Sequence, residues 1–340
     1  MSRLVKQRIN SIDILRFFAA FAVLLCHCSG FFGELPLKAV CMSSVPVFFM
    51  ISGYFFFFSS KKSQAKSIKR ILLLTVISNI FFFLYKFALS IASHKTSEFF
   101  SESFSLKKII DFLVFNDSPF AGHLWFLSAL LYTMIVCYFI SKLKLNKILI
   151  LSLAILLILI DTILGSYGKL LFNISIDLVY LRNFIFAGIP YFLIGALLKK
   201  ADLSHINKFL PIVLLVLFCA TCLFERNIFE LTGLVAERRT YISTVFIALS
   251  AFVLALIHPC CNTNGFEAFL STIGRKYSLS VYIIHPIVRD LLNLGFKRLG
   301  EVPDNIYKLI SPIIILIVSV ALAYMYYKFK EFLLTKIRKN

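Results

Sequence analysis

The chain is a succession of long apolar runs separated by short clusters of charge. A run of about 20 residues, at ~1.5 Å per residue, matches a hydrocarbon core of roughly 30 Å. Runs of this kind cover 12–32, 42–59, 71–93, 120–141, 147–165, 180–198, 209–226, 241–258, 277–296 and 309–328, and each predicts a membrane-spanning helix. The fold class that follows is all-α, a polytopic membrane helix bundle of about ten transmembrane helices. The loops are short. The longest, 94–119, holds a mildly amphipathic piece from Phe104 to Phe115 that predicts a helix lying along the interface. No internal repeat, glycine-rich linker or low-complexity segment appears, so 1–340 reads as a single integral membrane domain. Any chemistry then takes place within the helix bundle.

Composition points the same way. Hydrophobic residues make up 59% of the 340, against about 45–50% in a soluble domain. The net charge of +19 would suit nucleic acid, but the basic residues fall in clusters between alternate runs. These are Lys61, Lys62, Lys66, Lys69 and Arg70; Lys142, Lys144 and Lys147; Lys199, Lys200 and Lys208; Arg275 and Lys276; and the tail with Lys328, Lys330, Lys336, Arg338 and Lys339. Such clusters punctuate membrane topology, and no basic–aromatic module lies outside the runs, so nucleic acid is excluded and the lipid bilayer is the expected partner. By the positive-inside rule both termini are cytoplasmic, which demands an even number of spans; ten fits. The basic start (Arg3, Lys6, Arg8) precedes a run too long for a signal peptide and without a small-x-small cleavage site, so it predicts an uncleaved first span. The expected location is the cell membrane, plasma or inner, with multiple passes.

The eight cysteines lie mostly in or beside apolar runs, where they read as small buried hydrophobes. Cys26-His27-Cys28 invites a metal, but successive helical residues point about 100° apart and no C-x-x-C accompanies them, so no metal site is expected.

Candidate chemistry begins in the first run, which carries Asp13, Arg16 and His27. An Arg at the centre of a span costs about 2.5–3.5 kcal/mol on insertion scales, so ionisable groups there usually face a wet interior. Arg16 and His27 are close to three helical turns apart and share a face, separated by roughly 16 Å along the axis. Asp13, three before Arg16, can pair with it. The residues alone leave two readings open: a polar cavity, or an Arg16 that snorkels to the interface with a His27 that packs. In the second run, Ser52 and Gly53 can serve helix packing or the close approach of a ligand. Lys66, Lys69 and Arg70 are either topology markers or a grip for an anionic ligand such as a nucleotide phosphate. At the opposite face His123 and Trp125 open the fourth run and Arg182-Asn183 the sixth. The ninth places His285 and Arg289 on one face, with Pro286 removing a backbone hydrogen bond between them. Several polar groups in one bundle suggest a polar path.

These motifs resemble acyltransferase family 3, integral membrane proteins that move acyl groups onto cell-envelope sugars. The resemblance covers most of the chain. Its most specific element is R-x10-H, matched by Arg16 and His27, followed by P-x-F-F-x-x-S-G-Y from Pro46 to Tyr54. The basic segment after the second run, the H-L-W-F-L at His123 and the Y-S-L-S-V-Y-I-I-H-P that ends in His285-Pro286 are also similar to the family. Two departures stand out. The S-L-x-x-E-x-Q-F of many sugar O-acetyltransferases has no Glu here, where Leu127-Ser128-Ala129-Leu130-Leu131 stands, and the R-x-x-R pair has no strict match around Lys66 to Arg70. In both respects the chain is also similar to the membrane half of vancomycin-resistance serine racemases, which is associated with serine uptake.

The first resemblance implies an O-acyltransferase that takes acetyl from cytoplasmic acetyl-CoA to a hydroxyl of a cell-envelope polysaccharide or glycan precursor. Acetyl-CoA is then a substrate, with no permanently bound cofactor, and the partners are acyl-CoA and a glycan acceptor. His27 and Arg16 are the implied catalytic residues, and Lys66, Lys69, Arg70, Ser52, His123, Arg182 and His285 the implied substrate- and acyl-CoA-binding set. The second implies a small-molecule transporter of serine type on the same fold, against which the missing internal repeat weighs.

Overall fold

The structure, a computed structural model, describes residues 9–28, 37–233, 241–260, 265–299 and 304–337. Arg3, Lys6, Arg8, the end of the first run from 29 to 32, Cys261, Arg338 and Lys339 lie outside the described residues. Among the described residues the fold is all-helical, with no strand. In chain order the helices are α1 (Asn10–His27), α2 (Leu37–Cys41), α3 (Ser44–Phe56), α4 (Lys61–Ala92), α5 (Thr96–Ser103), α6 (Leu106–Phe115), α7 (Trp125–Ile140) and α8 (Lys147–Leu164). They continue with α9 (Gly168–Phe172), α10 (Leu178–Leu181), α11 (Ile189–Leu198), α12 (Leu210–Leu231), α13 (Ile242–Ile257), α14 (Phe266–Lys276), α15 (Ser278–Leu299) and α16 (Asp304–Ile337). A single 3₁₀ turn, Gly122–Leu124, leads into α7, and a π-helical turn, Phe184–Gly188, leads into α11.

Every expected span overlaps a helix, yet seven helical stretches among the described residues are both long and apolar enough to cross a bilayer. Phe184–Leu198 and Ile242–Ile257 are apolar but shorter. The expected span at 277–296 is α15, whose apolar run is interrupted by His285, Arg289 and Asp290. Polar caps set several helix starts: the side chains of Ser60, Ser105 and Asn146 accept from the backbone N–H of Ser63, Lys108 and Leu149. The amphipathic piece expected at Phe104 to Phe115 is α6, with Leu106, Leu113 and Val114 exposed and Asp111 buried.

The described residues group into two compact units, each drawn from separated stretches. The first comprises Met1–Ser44, Ile206–Asn227 and Ser243–Asn340. Here α1 packs along α14, α15 and α16. Gly274 of α14 makes the closest approach: a Cβ there would stand 1.8 Å from the carbonyl oxygen of Asp13, so only glycine lets the two backbones meet. Ser11 ties α1 to α13 by donating to Ala255 O at 2.5 Å. Ile273, Tyr277, Val281 and Ala323 form one apolar cluster between α14, α15 and α16. At the start of α13, Glu225 accepts from the N–H and hydroxyl of Ser243.

The second unit comprises Val45–His205 and Ile228–Ile242. In it α4 packs on α7, and α8 on α11. Small residues again set the close contacts: a Cβ on Gly53 would lie 1.8 Å from Phe192 O, and one on Gly195 would lie 2.0 Å from Met50 O. Gly53 therefore serves the approach of α11 to α3. The buried Gln64 donates to Phe56 O and Phe57 O, closing the last turn of α3.

Candidate active site

His27 is the last residue of α1, and its ring lies beside that of His285 in α15, with centroids 5.2 Å apart. Both belong to the first unit. His285 is 1% exposed. Its Nδ1 lies 2.8 Å from Tyr282 O and 3.2 Å from Val281 O. A carbonyl can only accept, so Nδ1 carries the hydrogen, and in the neutral ring Nε2 is the basic nitrogen. Local sequence explains the first of these bonds. Residue 286 is proline, which has no N–H to give to the carbonyl four residues back, and that carbonyl is Tyr282 O.

Arg289, one turn beyond His285, donates from Nη1 to His27 O at 3.1 Å and from Nη2 to Asp290 Oδ1 at 3.0 Å. The guanidinium thus closes the C-terminal turn of α1, where exposed carbonyls carry partial negative charge. Leu24, Cys28, Val288 and Ile315 pack together as an apolar cluster, with Cys28 and Val288 next in sequence to His27 and Arg289. His285 is thus held through its ring and His27 through its backbone carbonyl.

Arg16 lies near the other end of α1. Its Nη1 is 2.8 Å from Oδ1 of the buried Asp13, the pair expected at i, i+3. Among the described residues no group of three or more His, Cys, Asp or Glu is gathered as metal ligands would be.

The remaining candidates belong to the second unit. Ser52 donates to Phe48 O at 2.8 Å within its own helix. Lys66, Lys69 and Arg70 follow one another along α4, all exposed. His123 is buried in the 3₁₀ turn before α7, its ring 4.9 Å from that of Phe82. Arg182 Nη2 reaches Asp117 Oδ1 at 3.0 Å, and its guanidinium carbon is 5.3 Å from the Trp125 ring centroid. Lys108 approaches the other oxygen of Asp117 at 3.5 Å. In this cluster one carboxylate stands between two cations.

A family model described as an acyltransferase domain matches residues 9–328, which include every one of these positions. The chain belongs to acyltransferase family 3. No curated protein and no solved structure matches it. As a membrane acyltransferase it needs a group that can take a proton from an acceptor, and an imidazole has that chemistry. Sequence reasoning named both histidines of the acyltransferase but left Arg289 out of the site. The signal was present, since Arg289 shares a helical face with His285. Asp117 was missed too; it lies in a polar loop, Asn116-Asp117-Ser118-Pro119, with no period to mark it.

Proposed function

We propose that the protein is a ten-span O-acyltransferase of the cell membrane, a single integral domain with both termini cytoplasmic. It would move acetyl from cytoplasmic acetyl-CoA to a hydroxyl of a cell-envelope polysaccharide or glycan precursor. The observation that carries this reading is the His27–His285 pair, built into a chain whose family match runs over 9–328. His27 acts as the general base. It takes the acceptor's proton as the hydroxyl oxygen attacks the thioester carbonyl; the new C–O bond forms, the C–S bond breaks, and the proton passes to the departing CoA thiolate. His285 holds the acceptor or steadies the charged imidazole beside it. Arg16, Lys66, Lys69 and Arg70 supply cations for the phosphates of CoA. Ser52, His123 and Arg182 complete the substrate-binding set.

The test is cellular. Wild type and His27→Ala are expressed in the native host, their amounts in the membrane are compared, and envelope polysaccharide is assayed by mass spectrometry for ester-linked acetyl. Acetyl is expected with wild type and at least about a hundredfold less with the variant, the usual contribution of a general base. Equal acetylation by a normally inserted variant overturns the role of His27. No acetyl from either overturns the O-acetyltransferase reading, and a serine-uptake assay then follows.

A further inference from the structure

The second unit holds a cavity of about 440 Å³ that acyl transfer does not use. It opens between the end of α3, the α7–α8 turn and the end of α11. Lys144, Lys147 and Lys200 line it together with the apolar Phe57, Ile140 and Leu197. No carboxylate lines it among the described residues. Further cations stand next to the lining residues in sequence or in contact. Lys61 Nζ bonds Ser141 Oγ at 2.7 Å, and Lys142 and Lys199 lie over the rings of Tyr138 and Tyr54 at 4.4 and 4.1 Å. Lys200 itself lies 5.2 Å from the Phe58 ring centroid. The aromatic faces answer part of this charge, and an anion inside the cavity would answer more.

We propose that this cavity binds an anionic phospholipid, its phosphate held by Lys144, Lys147 and Lys200 and its acyl chain laid along Phe57, Ile140 and Leu197. Basic pockets between membrane helices suit such head groups. A phosphate joined to a long apolar chain also occurs in acyl-CoA, but the uncharged polar groups here argue against a purine. Asn146 Oδ1 accepts from Leu149 N at 2.7 Å, and Ser141 is engaged by Lys61 and Tyr138 O. Little is left to read the edge of a base.

The experiment is native mass spectrometry of the full chain in detergent, titrated separately with phosphatidylglycerol, phosphatidylcholine and CoA. Wild type is expected to retain one phosphatidylglycerol, with phosphatidylcholine lost on mild activation. The variant Lys144→Gln/Lys147→Gln/Lys200→Gln should bind phosphatidylglycerol weaker on the order of a hundredfold. Equal retention of the two lipids, or a triple variant that binds as wild type does, overturns the proposal. So does displacement of the lipid by equimolar CoA, which would assign the lysines to the nucleotide. Should the triple variant not fold, Leu197→Trp fills the cavity from an apolar lining residue and leaves the lysines in place; phosphatidylglycerol still retained by that variant overturns the proposal as well.

Discussion

Tyr282 O receives the Nδ1 hydrogen of His285 where Pro286 has no N–H to offer it. Replacing the proline should therefore act on the histidine next to it. In Pro286→Ala the new N–H competes for Tyr282 O and frees the imidazole to change tautomer. Acetyl-ester formation is expected to fall about tenfold, equivalent to about 1.4 kcal/mol of lost orientation. The unfolding temperature in detergent should rise, because a helix-interior proline costs about 3 kcal/mol. A loss of activity with a gain in stability separates this from simple damage. Arg289 should change stability in the opposite direction. Arg289→Gln removes the charged donor from His27 O and breaks the Arg289–Asp290 ion pair. It is expected to lower stability by roughly 1.5–3 kcal/mol in denaturation experiments, and Arg289→Lys should not restore it, since an ammonium lacks the planar fork that spans both partners.

The join of α1 to α14 depends on one missing methyl group. In Gly274→Ala the Cβ would stand 1.8 Å from Asp13 O, so α1 must shift along with its Asp13–Arg16 pair. A loss of roughly 1–3 kcal/mol or more is expected, read as a drop in unfolding temperature. Gly295 of α15 supplies the control: nothing lies within 4 Å of a Cβ there, so Gly295→Ala should be neutral or gain up to about 1 kcal/mol from helix propensity. Contacts within one helix were legible from spacing alone, as with Asp13–Arg16 at i, i+3 and the shared face of His285 and Arg289. Contacts between helices were not. Arg289 meets His27 O across 262 positions, and no period in the sequence encodes which two faces will meet. Gly53 shows the same limit: its smallness announced a close approach, but only packing shows that the neighbour is Phe192 of α11.

Across the described residues, each of the ten apolar runs overlaps a helix, and seven helical stretches meet the length and apolarity that a bilayer asks for. Among the long helices at expected spans, α15 falls short of that measure, and it carries His285, Arg289 and Asp290, with Arg289 donating to His27 O of α1. The proposed topology puts both ends of the chain in the cytoplasm. A fluorescent protein fused to the C-terminus should light up in cells, whereas alkaline phosphatase fused there should stay inactive; the same phosphatase inserted after Ser101 should be active. Reversed results would sink the ten-span arrangement. The π-helical turn at Phe184–Gly188 also bears on how this chain can change over generations. A wide turn is what one added residue leaves behind in an α-helix. Deleting one residue from it would restore regular winding and turn everything upstream by about 100° relative to Tyr191 and Phe192. Arg182 would then leave Asp117, and Phe184 would leave Asn116, whose side chain accepts its N–H. Descendants of this sequence are thus free to vary the lipid-facing residues nearby, but a one-codon loss in this stretch is closed to them.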